Sequence, residues 1–445
     1  MRETINKWFF TQVDNSALVV FRMVYGLILT CEAFGSIALG AVKRLFIDTE
    51  FTFTFIGFEF LEPLPGYGMY VLYSAMGIAG IFIMLGYKYR MAMLFYAITW
   101  TYVYLLQKSS YNNHCYLIML LNWLLVFLPA HKAGSVDAKK NKELLKIHMS
   151  RWIYILIIGF VWIVYSYASI AKFYPDWLDG SFEKFLMSTR GRDYEILQQD
   201  WAHVAILYYG LLFDLIIVPL LLWKRTRWIA IIASVFFHLF NSIVFKIGVF
   251  PYLALSFLLF FLTTETVHKR FLSKKTFYAA REVIVPKHAG IIKVFTISFL
   301  LIMLVLPLRH WVIEDDVLWT EEGHRLSWRM MLRSRSGRAV YYVENKETGK
   351  RERVNIKERL SRKQFNSANT KPDFMWQLAQ RLKKEYADKG EDVAVYISSS
   401  VSINGRPRSK FTNDTIDIAS QPWSQFKHAT WLMPSPLQDT PTNRP

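Results

Sequence analysis

The sequence predicts a polytopic all-α membrane domain over residues 1–307, followed by a β-rich α+β domain over residues 308–445 on the outer face. Three observations carry that reading. The first is a series of nine mostly apolar windows, at 17–41, 67–86, 91–107, 114–130, 152–172, 202–223, 227–246, 249–263 and 290–307, the eighth of them short. Roughly 17 to 25 apolar residues, at about 1.5 Å per residue, cross a hydrocarbon core of about 30 Å. The second is composition: 53% of residues are hydrophobic and 16% aromatic. Mean hydropathy is +0.19, although the C-terminal third is polar. The third is the end of the long apolar windows at Pro307, after which β-prone runs and turn signals replace them.

Lysine and arginine decide the orientation of these windows. With the N-terminus inside, the inner segments 1–16, 87–90, 131–151, 224–227 and 264–289 hold 19 basic residues, and the short outer segments 42–66, 108–113, 172–201 and 246–248 hold 8. Basic residues favour the cytoplasmic side, so the N-terminus is expected inside and the C-terminal domain outside. Much of the net charge of +18 sits in these short loops, so it does not call for nucleic acid as a partner. The opening MRETINKWFFTQVDNS has no apolar core ending in a small-residue cleavage site, so the first window is expected to direct insertion. Cys31 and Cys115 both fall in expected helices, which leaves the polar domain without a disulfide framework and the chain without a CxxC metal site.

In the outer domain, residues 339–344 and 351–356 read as strands around Glu347-Thr348-Gly349, and Val393 to Ile403 reads as a longer one. Asn404-Gly405 closes that strand with a strong hairpin signal. Asp373 to Lys389 reads as a helix with Phe374, Leu378 and Leu382 on one face. Such a domain could be a binding platform or a cap. The last twelve residues, PSPLQDTPTNRP, are expected to fray.

Ionisable side chains inside apolar windows are costly, so each is a candidate for function with a partner. Residues 152–171 carry no charge, and then comes Lys172, followed by Phe-Tyr-Pro-Asp-Trp, with Pro175 ending the helix within a turn. Lys172 either snorkels its ammonium to the headgroups or is a partly desolvated amine. Burial disfavours the charged form of an amine and makes it a usable base. Arg22 and Glu32 lie ten residues apart on the first window, nearly three turns, too far to pair with each other. With Asp214 they are expected to be structural intramembrane charges, Arg22 neutralising Asp214 or Glu32 across the bundle. His114, after Tyr111-Asn112-Asn113, is placed at the same outer depth as Lys172. His238 and Asn241, at i and i+3, share a helix face. A lone helix histidine is more often a satisfied core group than a catalytic one, and both readings stand for His238. GxSxG, GxGxxG and P-loop patterns are absent, which argues against a nucleophile elbow and nucleotide-driven transport. HExxH is absent too, and carboxylates near the histidines are too sparse for a zinc or iron site.

Seven segments then stand out: KSSYNNHCY (108–116), AKFYPDWLDG (171–180), FHLFNSIVFKIGVFPY (237–252), LPLRHW (306–311), HRLSWRMMLRSRSG (324–337), VSINGRPRSKF (401–411) and QPWSQFKHATW (421–431). With FRMVYG (21–26), GYKYR (86–90) and SVD (135–137), they resemble the vitamin K-dependent gamma-glutamyl carboxylase family in the same order. The likeness runs from the first window to about residue 434, and its membrane part is of the HTTM type.

The resemblance implies a peptidyl-glutamate 4-carboxylase in the membrane. It would oxygenate vitamin K hydroquinone to the 2,3-epoxide and couple this to carboxylation of peptide glutamate, with O2 and CO2 as co-substrates and no metal. Lys172 matches the family's base for the quinol. A phenol-like hydroxyl, with a pKa of about 10 by analogy with tyrosine, is within reach of a desolvated amine, whereas the glutamate γ-carbon is too weak an acid for any side chain. The strong base is therefore expected from the cofactor, as an alkoxide formed after oxygen adds, acting in a water-excluded pocket. His114 and Asn113 match the family's NNH motif and would orient quinol or glutamate. His238 and Asn241 match its H-x-x-N segment and would line the same cavity. The chain lacks the long C-terminal extension of the animal enzymes and the cysteines for their disulfide linkage, so a bacterial inner-membrane form is expected, with phylloquinol or menaquinol as the quinol. Its implied partners are a glutamate-containing peptide or protein, membrane lipid and quinol. Rival readings are a quinol epoxidase that does not carboxylate, a non-catalytic quinone or lipid carrier, and a proton-coupled transporter built on Arg22, Glu32 and Asp214. The transporter is disfavoured because paired Gly/Pro-broken helices are missing.

Overall fold

The computed structural model describes residues 2–437, so the end of the 308–445 domain and most of the segment expected to fray lie outside the described residues. A helix falls on each apolar window: α1 (Ser16–Ala38), α2 (Gly68–Leu85), α3 (Tyr89–Leu106), α4 (Asn113–Phe127), α5 (Trp152–Ile170), α6 (Asp200–Leu222), α7 (Arg227–Phe245), α8 (Phe250–Ser256) and α9 (Ala289–Val305). Among the described residues, six of these, α1, α2, α5, α6, α7 and α9 with its 3-10 extension to Trp311, are long and apolar enough to cross a membrane. The count rises to seven if the pair Phe250–Phe260 and Thr264–Phe271, bent by 116°, is one span. That is fewer than the nine expected. The 15 residues of α4 rise only about 22 Å, and α3 mixes Arg90 with several Tyr, Thr and Trp residues that dilute its apolarity.

The connecting segments gather into two groups. In one, β1 (Gln12–Asp14) pairs antiparallel with β2 (His148–Ser150), Thr11 bridges to Val283, and Lys275 Nζ lies 2.7 Å from the buried Asp14. These segments are the ones rich in basic residues. In the other group, the 42–66 loop, Lys108 and Asp176 meet the C-terminal domain. Phe53 packs on Phe374 with ring centroids 4.8 Å apart, and Lys108 Nζ lies 2.9 Å from Asp373. Asp176 accepts a hydrogen bond from Asn404 Nδ2 at 2.8 Å and pairs with Arg406.

The C-terminal domain holds a four-stranded antiparallel sheet in the order β4-β3-β5-β6, made of β3 (Arg335–Asn345), β4 (Arg351–Val354), β5 (Val393–Ile403) and β6 (Ser409–Lys410). Tyr341, Val343, Val395 and Ile397 point to one side with the period of two that a strand imposes. Helix α10 (Pro372–Ala387) lays Phe374, Leu378 and Leu382 on that side and completes the core. Asn404 and Gly405 both take positive φ, and the Arg406 N–H closes the turn on the Ile403 carbonyl at 3.0 Å, the geometry that asparagine–glycine favours. This turn reaches back to Asp176, so the sheet holds the segment that follows Lys172.

Candidate active site

A cavity of about 800 Å³ lies among α4, α5, α6, α7 and α8, with residues of the 321–333 segment and Lys371 as its roof. Between the helices its lining is aromatic and aliphatic, including Val164, Phe237, Phe250 and Phe257. Under the roof it is polar and cationic, with Lys172, His114, Arg325, Arg329, Arg333 and Lys371.

Helix α5 stops at Ile170, the Tyr174 N–H turns back to the Lys172 carbonyl at 2.9 Å, and Pro175 opens a short new helix. That reversal points Lys172 inward, where its residue is 5% exposed. Its Nζ donates to the Gly210 carbonyl and to Asp214 Oδ2, each at 2.6 Å, and stands 5.0 Å from the Trp177 ring centroid. The amine is buried and paired, and does not snorkel to an interface.

The structural pairing expected for the intramembrane charges is corrected. Asp214 is the partner of Lys172 and belongs to the site. Arg22 donates instead to the Gly134 carbonyl at 2.6 Å, beside Gly86. Glu32 is half-buried and has no ion pair among the described residues. Sequence spacing across different helices carries no distance, which is why the partners could not be assigned from it.

His238 is buried, with Nε2 bonded to the Tyr165 hydroxyl at 2.8 Å and Nδ1 enclosed without a partner among the described residues. Asn241 lies one turn further along the same wall. The His114 ring is 6.2 Å from Phe250, and Phe250 is 6.1 Å from His238, so both imidazoles neighbour one phenyl ring. Asn113 borders the cavity but its amide is occupied. It donates to the Arg329 carbonyl at 2.8 Å and accepts from the Tyr111 hydroxyl at 3.0 Å. Tyr111 in turn accepts from the Leu326 N–H at 2.9 Å. Asn113 and Tyr111 therefore anchor the roof on α4.

Tyr165, Trp177 and the cationic roof are the groups that sequence reasoning passed over. In the roof, Glu321 pairs with Arg333 and lies 3.6 Å from Arg335. Burial alone would raise the Glu321 carboxyl, but these guanidinium groups hold it well below the usual range. Arg329 and Lys371 have no carboxylate within ion-pair distance among the described residues. Arg329 Nη1 meets His310 Nε2 at 3.1 Å, and its Nε is buried without a partner among the described residues. Burial pulls the Lys371 amine down to about 8. The run of basic residues in HRLSWRMMLRSRSG was a usable signal, but linear spacing does not show that it covers a membrane cavity.

Residues 10–265, more than half of the chain, match the HTTM domain, and residues 288–438 match the lumenal domain of the vitamin K-dependent gamma-carboxylase. The chain belongs to the vitamin K-dependent gamma-carboxylase family. No solved structure matches it. In this carboxylase family member the two matched regions meet at the cavity. The HTTM part brings Lys172, Asp214 and His238, and the lumenal part brings Arg329, Arg333 and Lys371.

Proposed function

We propose that this chain is a vitamin K-dependent glutamyl carboxylase and quinol epoxidase in which Lys172 accepts the quinol hydroxyl proton. The observation that carries the reading is the buried Lys172–Asp214 pair on the border between an apolar chamber and a cationic roof. The residues fit a quinol: aromatic walls suit a fused ring, and the unpartnered His238 Nδ1 offers one hydrogen bond to a ring oxygen. When bound, the quinol supplies with oxygen the strong base that a side chain cannot provide.

The chain's own residues do the remaining work. Phe237, Phe250 and Phe257 hold the ring and exclude water, which strengthens every polar contact inside. Tyr165 fixes the orientation of His238 through Nε2. Lys172 takes the hydroxyl proton, and Asp214 with the Gly210 carbonyl keeps the resulting ammonium from being an isolated buried charge. Arg329 and Lys371 receive the glutamate carboxylate, so the γ-carbon faces the chamber, and His114 stands between the two reactants. In this reading residues 1–307 form the catalytic membrane domain, with an odd number of passes, the N-terminus in the cytoplasm and the outer domain exoplasmic. The peptide then reaches the roof from outside while the quinol, phylloquinol or menaquinol, comes from the lipid of a bacterial inner membrane.

The test is turnover by purified protein in nanodiscs given reduced vitamin K, oxygen, labelled bicarbonate and a glutamyl peptide. Epoxide and incorporated label are both expected, and both are expected to vanish in Lys172→Ala. Epoxide without label would remove the carboxylation step. Neither product from folded wild type, with either quinol, would overturn the reading in favour of a carrier.

A further inference from the structure

A second hollow of about 370 Å³ adjoins the active-site cavity, between the Ser109–Asn112 loop and the outer domain. The two share Tyr111, Asn112, Arg333 and Lys371. Four cations line the smaller hollow, Arg333, Arg335, Lys363 and Lys371, and no carboxylate does. Glu321 answers the two arginines. Lys363 and Lys371 have no carboxylate within ion-pair distance among the described residues. The Ser110 hydroxyl oxygen on the same wall is buried and has no hydrogen-bond partner among the described residues. Lys363 is exposed and Lys371 half-buried, and a half-buried cation beside an idle buried hydroxyl is costly unless something completes both, which an anion rich in acceptor oxygens would do.

We propose that this hollow binds a carboxylate-type oxyanion next to the glutamate held in the active-site cavity. The site itself follows from the lining residues, while the source of the anion rests on the carboxylase reading. Two sources have the same planar oxygen chemistry: bicarbonate from solution, and a second acidic side chain of the peptide. Either would meet the ammonium of Lys363 and the Ser110 hydroxyl on one side and the shared Arg333 and Lys371 on the other. Through that shared wall the bound anion would be one side chain away from the reacting glutamate.

Formate serves as the probe, on the full-length protein in detergent at constant ionic strength, with chloride as control. Formate is expected to raise the thermal midpoint of the wild type. Its half-saturating concentration should rise severalfold in Lys363→Gln, whose exposed ammonium is screened by solvent, and about tenfold in Ser110→Ala, the expected loss of one charge-assisted contact. Both residues lie outside the active-site cavity. Unchanged half-saturation in both variants would overturn the proposal. In turnover, a similar rise in the bicarbonate requirement of Lys363→Gln assigns inorganic carbon. A rise confined to a peptide with two neighbouring glutamates, against one with a single glutamate, assigns the second side chain. Wild-type requirements for both would again overturn it. A wild type that binds formate through Lys363 and Ser110 yet forms no carboxylated peptide removes the carboxylase reading and leaves the anion site standing.

Discussion

Among the described residues, two lysine–aspartate pairs have both residues buried, and only one of them lines the active-site cavity. Lys172 and Asp214 lie 2.6 Å apart on the wall of the 800 Å³ cavity. Lys108 and Asp373 lie 2.9 Å apart at the junction of the two domains, where Arg325 shares the same carboxylate and the Phe374 ring centroid is 4.7 Å from the amine. Lys108 lines neither hollow. The paired groups are the same, so access separates their roles: a base must come within hydrogen-bond reach of the proton it takes, and an enclosed amine can only hold structure. The largest expected effect follows. Lys172→Ala should lower epoxide formation by roughly a thousandfold, within the range of general base catalysis, in protein that still folds. Lys108→Ala, assayed at a temperature where it remains folded, should keep activity within about tenfold of wild type. An equally complete loss in folded Lys108→Ala would show that access is not the criterion.

The junction pair should instead dominate stability. Asp373→Asn leaves Lys108 and Arg325 enclosed beside a neutral amide, a loss of about 3 to 5 kcal/mol when one partner of a buried pair is removed. Burial would raise the Asp373 carboxyl, but Arg325 and Lys108 hold it well below the usual range, while burial pulls the Lys108 amine down to about 8. A depressed carboxyl contributes stability that is present above its unfolded pKa, about 3.9, and is lost as pH falls through the folded value. The gap in thermal midpoint between wild type and Asp373→Asn should therefore stay open from pH 7 to 5 and narrow only below about 4. A gap that has already closed at pH 6 would contradict the ion pair as the source of the stability.

The same comparison shows what could be read from the sequence. Lys172 was legible because an uncharged run of about twenty residues ends on it, and the β5–β6 turn because Asn404-Gly405 suits positive φ at both positions. The windows located helices well, since hydropathy reports which residues avoid water. They overstated the spans, since hydropathy alone does not see that α4 is short or that α8 bends into the next helix. The ion-pair partners were not legible. Lys172 and Asp214 are 42 residues apart and Lys108 and Asp373 are 265 apart, and only the packed fold brings them together. Asn113 was legible as a site residue from its motif, but its hydrogen bonds to Tyr111 and the Arg329 carbonyl make it an anchor of the roof.

A smaller effect sharpens the active-site side of the contrast. Tyr165→Phe removes the hydroxyl that His238 Nε2 meets at 2.8 Å. An unsatisfied buried nitrogen costs about 1 to 3 kcal/mol. If His238 positions the quinol, its KM should rise about tenfold while kcat stays within about threefold, because Lys172 and Asp214 are untouched. A loss confined to kcat would place Tyr165 in the chemical step instead.

The smallest expected effect belongs to a pair that titrates in the opposite sense to Asp373. His428 Nδ1 lies 2.8 Å from Glu322 Oε2 in the C-terminal domain, and that bond raises the imidazole above its ordinary value. A raised histidine contributes stability that is fully present below its unfolded pKa, about 6.5, and is lost as pH rises through the folded value. His428 is half-buried, so solvent screening keeps the contribution below about 1 kcal/mol. The difference in thermal midpoint between wild type and His428→Gln should be greatest near pH 5.5 and fade toward pH 8.5. A difference that grows with pH would mean that the imidazole is not held by Glu322. Because His428 touches neither lysine–aspartate pair, His428→Gln should leave the pH profile of epoxide formation unchanged.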